Sequence, residues 1–202
     1  GLGEDAAIAF NESTFALAKQ ARVAPTAVFR DIVGSADAVA KFTSATGDNI
    51  AQAAIQAQRL GVGLDTSAKI AESLLDFQSS IQAELEASAL IGRRLDFQRA
   101  RELALTNDIA GAVQAVVAQL GSEEELNNLN SIQREAIAKS IGVSNAELAK
   151  VVGKQKELNS LADVFASGPS IVETLKAEDS LSNLTKIIAE VKKLGTAVIT
   201  AL

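Results

Sequence analysis

The chain has 202 residues, 48% hydrophobic, 22% charged and 3% aromatic, with a net charge of −6 and no Cys, His, Met, Trp or Tyr. Such apolar content suffices for a buried core and sets the chain apart from disordered sequences. Lack of His and Cys excludes Ser-His-Asp and Cys-His catalysis, thiolate zinc sites and disulfides, and the acidic balance opposes phosphate-driven DNA binding.

Ala, Leu, Ile and Val dominate the apolar residues, and Pro occurs only at Pro25 and Pro169. This is a helical composition, and the expected fold class is all-α with no sheet. The sequence starts at Gly1 without Met and stops abruptly in Ala197-Val198-Ile199-Thr200-Ala201-Leu202, so we expect a portion of a longer protein. No apolar run reaches the roughly 18 residues that cross a bilayer, and no secretory signal pattern is present.

In chain order, residues 4–20 carry Ile8, Phe10, Phe15 and Leu17 among alanines and predict a first helix. Pro25 suits the first turn of a second, which supplies Val28, Phe29, Ile32 and Val33 before Gly34. Two further helical pieces, 37–42 and 49–60, lead to Gly61. The stretch from Asp65 to about Ile91 then predicts the longest uninterrupted helix, because no Gly or Pro intervenes before Gly92. Ile70, Leu74, Phe77, Ile81 and Leu85 follow one another at spacings of four, three, four and four, which places them on one face. Such a helix would be roughly 40 Å long and suggests an elongated rod carrying small modules. Its apolar face predicts a seam for self-association or for contact with a partner.

Beyond Gly92, helices are expected over 97–105 and 108–120, followed by short, well-punctuated ones. Ser122 with Glu125, Ser144 with Glu147 and Ser170 with Glu173 match the capping box, and Asn130 with Gln133 is a weaker match. Gly121, Gly142 and Gly153 stand where left-handed residues end helices. The C-terminal part breaks at Ser167-Gly168-Pro169 and then repeats Leu181, Leu184, Ile187, Ile188, Val191 and Leu194 in a heptad-like stripe. Four segments result: an N-terminal helical segment over 1–63, a long central helix over 64–96, a compact short-helix module over 97–153 and a C-terminal helical segment over 154–202.

Candidate chemistry is sparse. Glu84 and Glu86 would point to different helix faces, and Glu123, Glu124 and Glu125 lie in a first helical turn, where acids favour the macrodipole. No catalytic, cofactor or metal residues are assigned. Ala138, Gly142 and Leu148 have the spacing of a helix-turn-helix, which any tight helix pair also requires. The basic cluster Arg93, Arg94, Arg99 and Arg101 suggests a solvated helix junction that pairs with nearby acids.

A series of blocks runs through Leu60-Gly61-Val62, Leu74-Leu75-Asp76-Phe77, Ser79-Ser80-Ile81 and Glu84-Leu85-Glu86-Ala87. It continues through Arg99-Ala100-Arg101-Glu102-Leu103-Ala104-Leu105, Gly121-Ser122-Glu123-Glu124-Glu125-Leu126 and the run from Leu129 to Ala138. These blocks carry a resemblance, from Leu60 to about Val152, to the C-terminal part of tail tape measure proteins of tailed bacteriophages. It implies a long helical structural protein, not an enzyme, that lies in the virion inside the tail tube, sets tail length and leaves ahead of the DNA during genome ejection. Its implied partners are other copies of itself, a trimer because the hub of such tails is threefold, together with tail tube, distal tail and baseplate hub proteins. DNA would be only a neighbour in the tube, and the host membrane a contact during ejection. No cofactor is implied. The alternative is a soluble helical adaptor, or a helix-turn-helix DNA-binding regulator acting through residues 132–152.

Overall fold

Locally encoded starts and stops account for most helix ends in the computed structural model, which describes the backbone of residues 4–168 and side chains from Ala9 onward. Pro25 occupies the first turn of α2 (Pro25–Gly34), which follows α1 (Glu4–Gln20). Next come α3 (Ala36–Phe42) and α4 (Asp48–Leu60), the latter closed by Gly61 at φ +71°. Then follow α5 (Leu64–Leu75), α6 (Phe77–Ile91), α7 (Gln98–Leu105) and α8 (Ile109–Leu120). Asp108 caps α8 by accepting from Gly111 N–H at 2.8 Å. All three expected capping boxes within this range form, at Ser122 with Glu125, Asn130 with Gln133 and Ser144 with Glu147. They open α9 (Glu123–Asn128), α10 (Ser131–Ser140) and α11 (Asn145–Gly153), and α12 (Gln155–Ser167) completes the described chain. The box at Ser170 and the stripe from Leu181 to Leu194 lie outside the described residues.

Two expectations about helix ends are corrected. Gly153 does not take a left-handed conformation; it is the last helical residue of α11, and Lys154 alone links it to α12. More consequentially, the long helix is broken at Asp76, whose ψ of 78° cannot continue an α-helix. Its backbone N–H closes α5 on Glu72 O, and its side chain accepts from Ser79 N–H to start α6.

The described residues fold as an all-α bundle, and no strand occurs among them. The element at its centre is α4. Ile50, Ala51, Ala53, Ala54, Ile55, Ala57 and Leu60 are all fully buried, and α1, α2, α5, α8 and α12 pack around this helix. Alanine has the smallest apolar side chain and so permits these close approaches on several sides. The polar Gln56 is half satisfied inside: its Nε2 donates to Ala110 O at 3.0 Å, whereas its Oε1 is buried without a partner. One continuous apolar core runs from Phe10 to Leu161 and draws on all four segments named above. The extended rod is therefore not observed: the break at Asp76 lets the chain turn, and the helices pack as a compact bundle.

Candidate interaction surface

Breaking the helix at Asp76 divides the expected seam into two halves with different fates. Ile70 and Leu74, on α5, are 1% and 0% exposed. They belong to the core formed where α5 meets α4, α7 and α8. Phe77, Ile81 and Leu85, on α6, are 44%, 46% and 64% exposed. The five side chains thus do not form one face. The signal for the break lay in the sequence itself: Asp76 followed by Ser79 and Ser80 combines a preferred N-cap with two poor helix formers inside an apolar repeat.

The buried side of α6 is narrow and made of small residues. Only Ser80 and Ala87 are buried along its 15 residues, and α10 packs closely on it. Gln133 Nε2 on α10 donates to Leu90 O at 2.8 Å, and Lys139 Nζ lies 3.8 Å from Glu86 Oε2, which sets the two helices antiparallel. On the other flank, Arg101 of α7 donates to Ser80 Oγ and to Glu84 Oε2. Phe77, Ile81 and Leu85 recur every four residues, so each is displaced by about 40° from the last, and they form a strip beside this polar edge. No described helix covers the strip. A run of three large apolar side chains in water is the kind of feature that marks a contact surface.

The remaining sequence candidates find ordinary partners. Arg101 is 7% exposed, so it is not a solvated residue, whereas Arg93 donates to the carbonyls of Gln119 and Leu120 at the end of α8. Arg99 pairs with Glu102 and Arg94 with Asp96. Glu84 faces inward and Glu86 outward, as their spacing requires. In the would-be helix-turn-helix, Ala138 and Leu148 are buried and Gly142 turns at φ +72°. That turn abuts Ser73 and Lys69 of α5, and Glu147 Oε1 accepts from Thr66 Oγ1 at 2.8 Å, so α11 starts docked on α5.

Among the described residues no group of acids could hold a metal ion, and no helix is long and apolar enough to cross a membrane. Comparisons with protein-family models, with curated proteins and with solved structures gave no match.

Proposed function

We propose that the chain is a structural, non-catalytic portion of a phage tail tape measure protein, and that α6 is its contact surface. The observation that carries this reading is the uncovered strip of Phe77, Ile81 and Leu85 on a helix of which only Ser80 and Ala87 are buried. It is supported by the sequence resemblance over residues 60–152. In this reading the strip packs against the same strip of two further copies, or against tail tip and hub proteins, and the α4-centred bundle serves as a docking module at the distal end of the tail. Three helices that each present an apolar strip at four-residue spacing can close around an axis.

The test is sizing with light scattering over a concentration series, beside Phe77→Asp and Leu74→Ala. We expect a trimer that Phe77→Asp converts to a monomer with unchanged helix content. Leu74→Ala should instead lower stability by roughly 2–5 kcal/mol through a core cavity, without acting on assembly directly. In complementation, phage carrying Phe77→Asp should fail to assemble infectious tails. Normal tails from that variant would refute the role of the strip.

The compact α4-centred bundle favours a second reading, a soluble helical adaptor, since a self-contained core needs no axial partners. A monomer at every concentration that also fails to bind hub proteins would support it. The helix-turn-helix alternative has least support, because the first turn of α11 is engaged with Ser144 and Thr66.

A further inference from the structure

Away from the α6 strip and independent of its reading, the α1–α2 loop, α2, α4 and the start of α12 frame an open cleft of about 370 Å³ whose lining includes Arg22, Arg59, Lys154, Glu157, Ala24 and Ala27. In a chain of net charge −6, three cations here meet a single carboxylate. Glu157 is taken up by Arg59, whose Nη1 also donates to Ala21 O at 3.2 Å. Arg59 Nε is buried and without a partner. Arg22 and Lys154 make no side-chain hydrogen bond or ion pair among the described residues, so two positive charges have no counter-ion among those residues.

Backbone dipoles reinforce these charges. Ala24 is the N-cap of α2 and Lys154 that of α12, and neither provides a side-chain cap. Pro25 carries no N–H, and the Ala27 and Glu157 amides donate to Ala24 O and Lys154 O, so the first-turn N–H groups left without a capping side chain are those of Thr26, Gln155 and Lys156, and they present partial positive charge at the cleft. Arg22 is moreover held at φ +57°, a left-handed conformation that costs energy for a residue with a Cβ. A glycine would relax that strain, but it would remove the guanidinium from the rim.

We propose that this cleft binds a dianionic phosphate group, held by Arg22, Arg59 and Lys154 together with first-turn amides of α2 and α12. Three cations less one carboxylate leave a charge of two, matching inorganic phosphate or a phosphomonoester near neutral pH. Donors from different elements suit a tetrahedral oxyanion better than a planar carboxylate.

The experiment is a titration of the ¹⁵N-labelled full chain with sodium phosphate at constant ionic strength, with chloride as the control. A parallel titration uses a short oligothymidylate, whose phosphodiesters carry one charge each. Saturable shifts of the Thr26, Ala27, Gln155 and Lys156 amides at one phosphate per chain are expected. The double variant Arg22→Gly/Lys154→Gln should bind about tenfold more weakly or worse. Its thermal midpoint in chloride should not fall, since glycine suits φ +57° and both side chains are exposed. Shifts that do not saturate, or equal affinity in the variant, would overturn the proposal. So would tighter binding of the oligothymidylate than of phosphate, which would assign the charge to a polymer.

Discussion

Arg101 on α7 donates from Nη2 to Oε2 of Glu84 on α6 at 2.6 Å, with the two side chains only 9% and 13% exposed. Ser80 Oγ accepts from Arg101 Nε and Nη2 at 3.2 and 3.0 Å, and Glu84 Oε2 also accepts from Phe97 N–H at 3.2 Å. The pair is thus embedded in a hydrogen-bond network. It holds the polar edge of α6 against α7 and so keeps the neighbouring apolar strip turned outward.

Breaking this pair on one side should be far more damaging than replacing it. Glu84→Ala leaves the Arg101 charge buried without its counter-ion and should cost about 3–5 kcal/mol in urea denaturation. Glu84→Leu combined with Arg101→Met removes both charges and should recover most of that loss. A Glu84→Ala variant as stable as the parent would show that the network contributes nothing.

The α10–α11 turn gives a second prediction, because Gly142 is constrained both by conformation and by space. A Cβ there would lie 2.6 Å from Ser73 Cβ at φ +72°, whereas at Gly61, φ +71°, it would meet open space. Gly61→Ala should cost only the left-handed penalty of about 1–2 kcal/mol. Gly142→Ala should cost more, since the turn must also move off α5. Equal losses in thermal melts would mean that the turn yields freely.

Two carboxylates predict opposite pH behaviour. Asp31 on α2 accepts from Leu64 N–H at 2.9 Å and from Gln58 Nε2 at 3.0 Å, standing in for the cap that Gly63 cannot give α5. Burial, partly offset by these bonds, nevertheless raises its pKa above the ordinary 3.8. Its titration therefore favours the fold below pH 3.8, and this contribution is lost as pH rises through the folded pKa. Asp31→Asn keeps an acceptor oxygen, so it should match or exceed the parent near neutrality and lose that advantage in acid.

Glu147 behaves the other way. The Ser144 backbone N–H, then the Ser144 hydroxyl and, more weakly, Thr66 and the Lys69 charge, hold its pKa below the ordinary 4.5 against a smaller opposing effect of burial. Its stabilisation is present above pH 4.5 and disappears as pH falls through the folded pKa. Glu147→Gln should flatten this acid limb of the stability profile, read by denaturation at stepped pH. An unchanged limb would assign acid sensitivity elsewhere.

The capping boxes at Ser122, Asn130 and Ser144 could be read from sequence because they depend on residues three apart. The Asp76 break was also local, yet the apolar repeat across it masked the cap, since residues 70 and 74 and residues 77, 81 and 85 keep helical spacing on both sides of a turn. The uncovered strip was legible only in part. Spacing marked Phe77, Ile81 and Leu85 as one face, but nothing in it separated them from Ile70 and Leu74. The cationic cleft was not legible, since Arg22, Arg59 and Lys154 are far apart in sequence.

The sequence by itself determined the helical class and most helix ends, because alanine-rich propensity and capping act over a few residues. Only the tertiary structure decided that α4 is the central helix and that α5 buries its half of the seam while α6 exposes its own. Burial depends on which faces meet across the bundle, and those contacts join residues whose separation leaves no periodic trace in the chain.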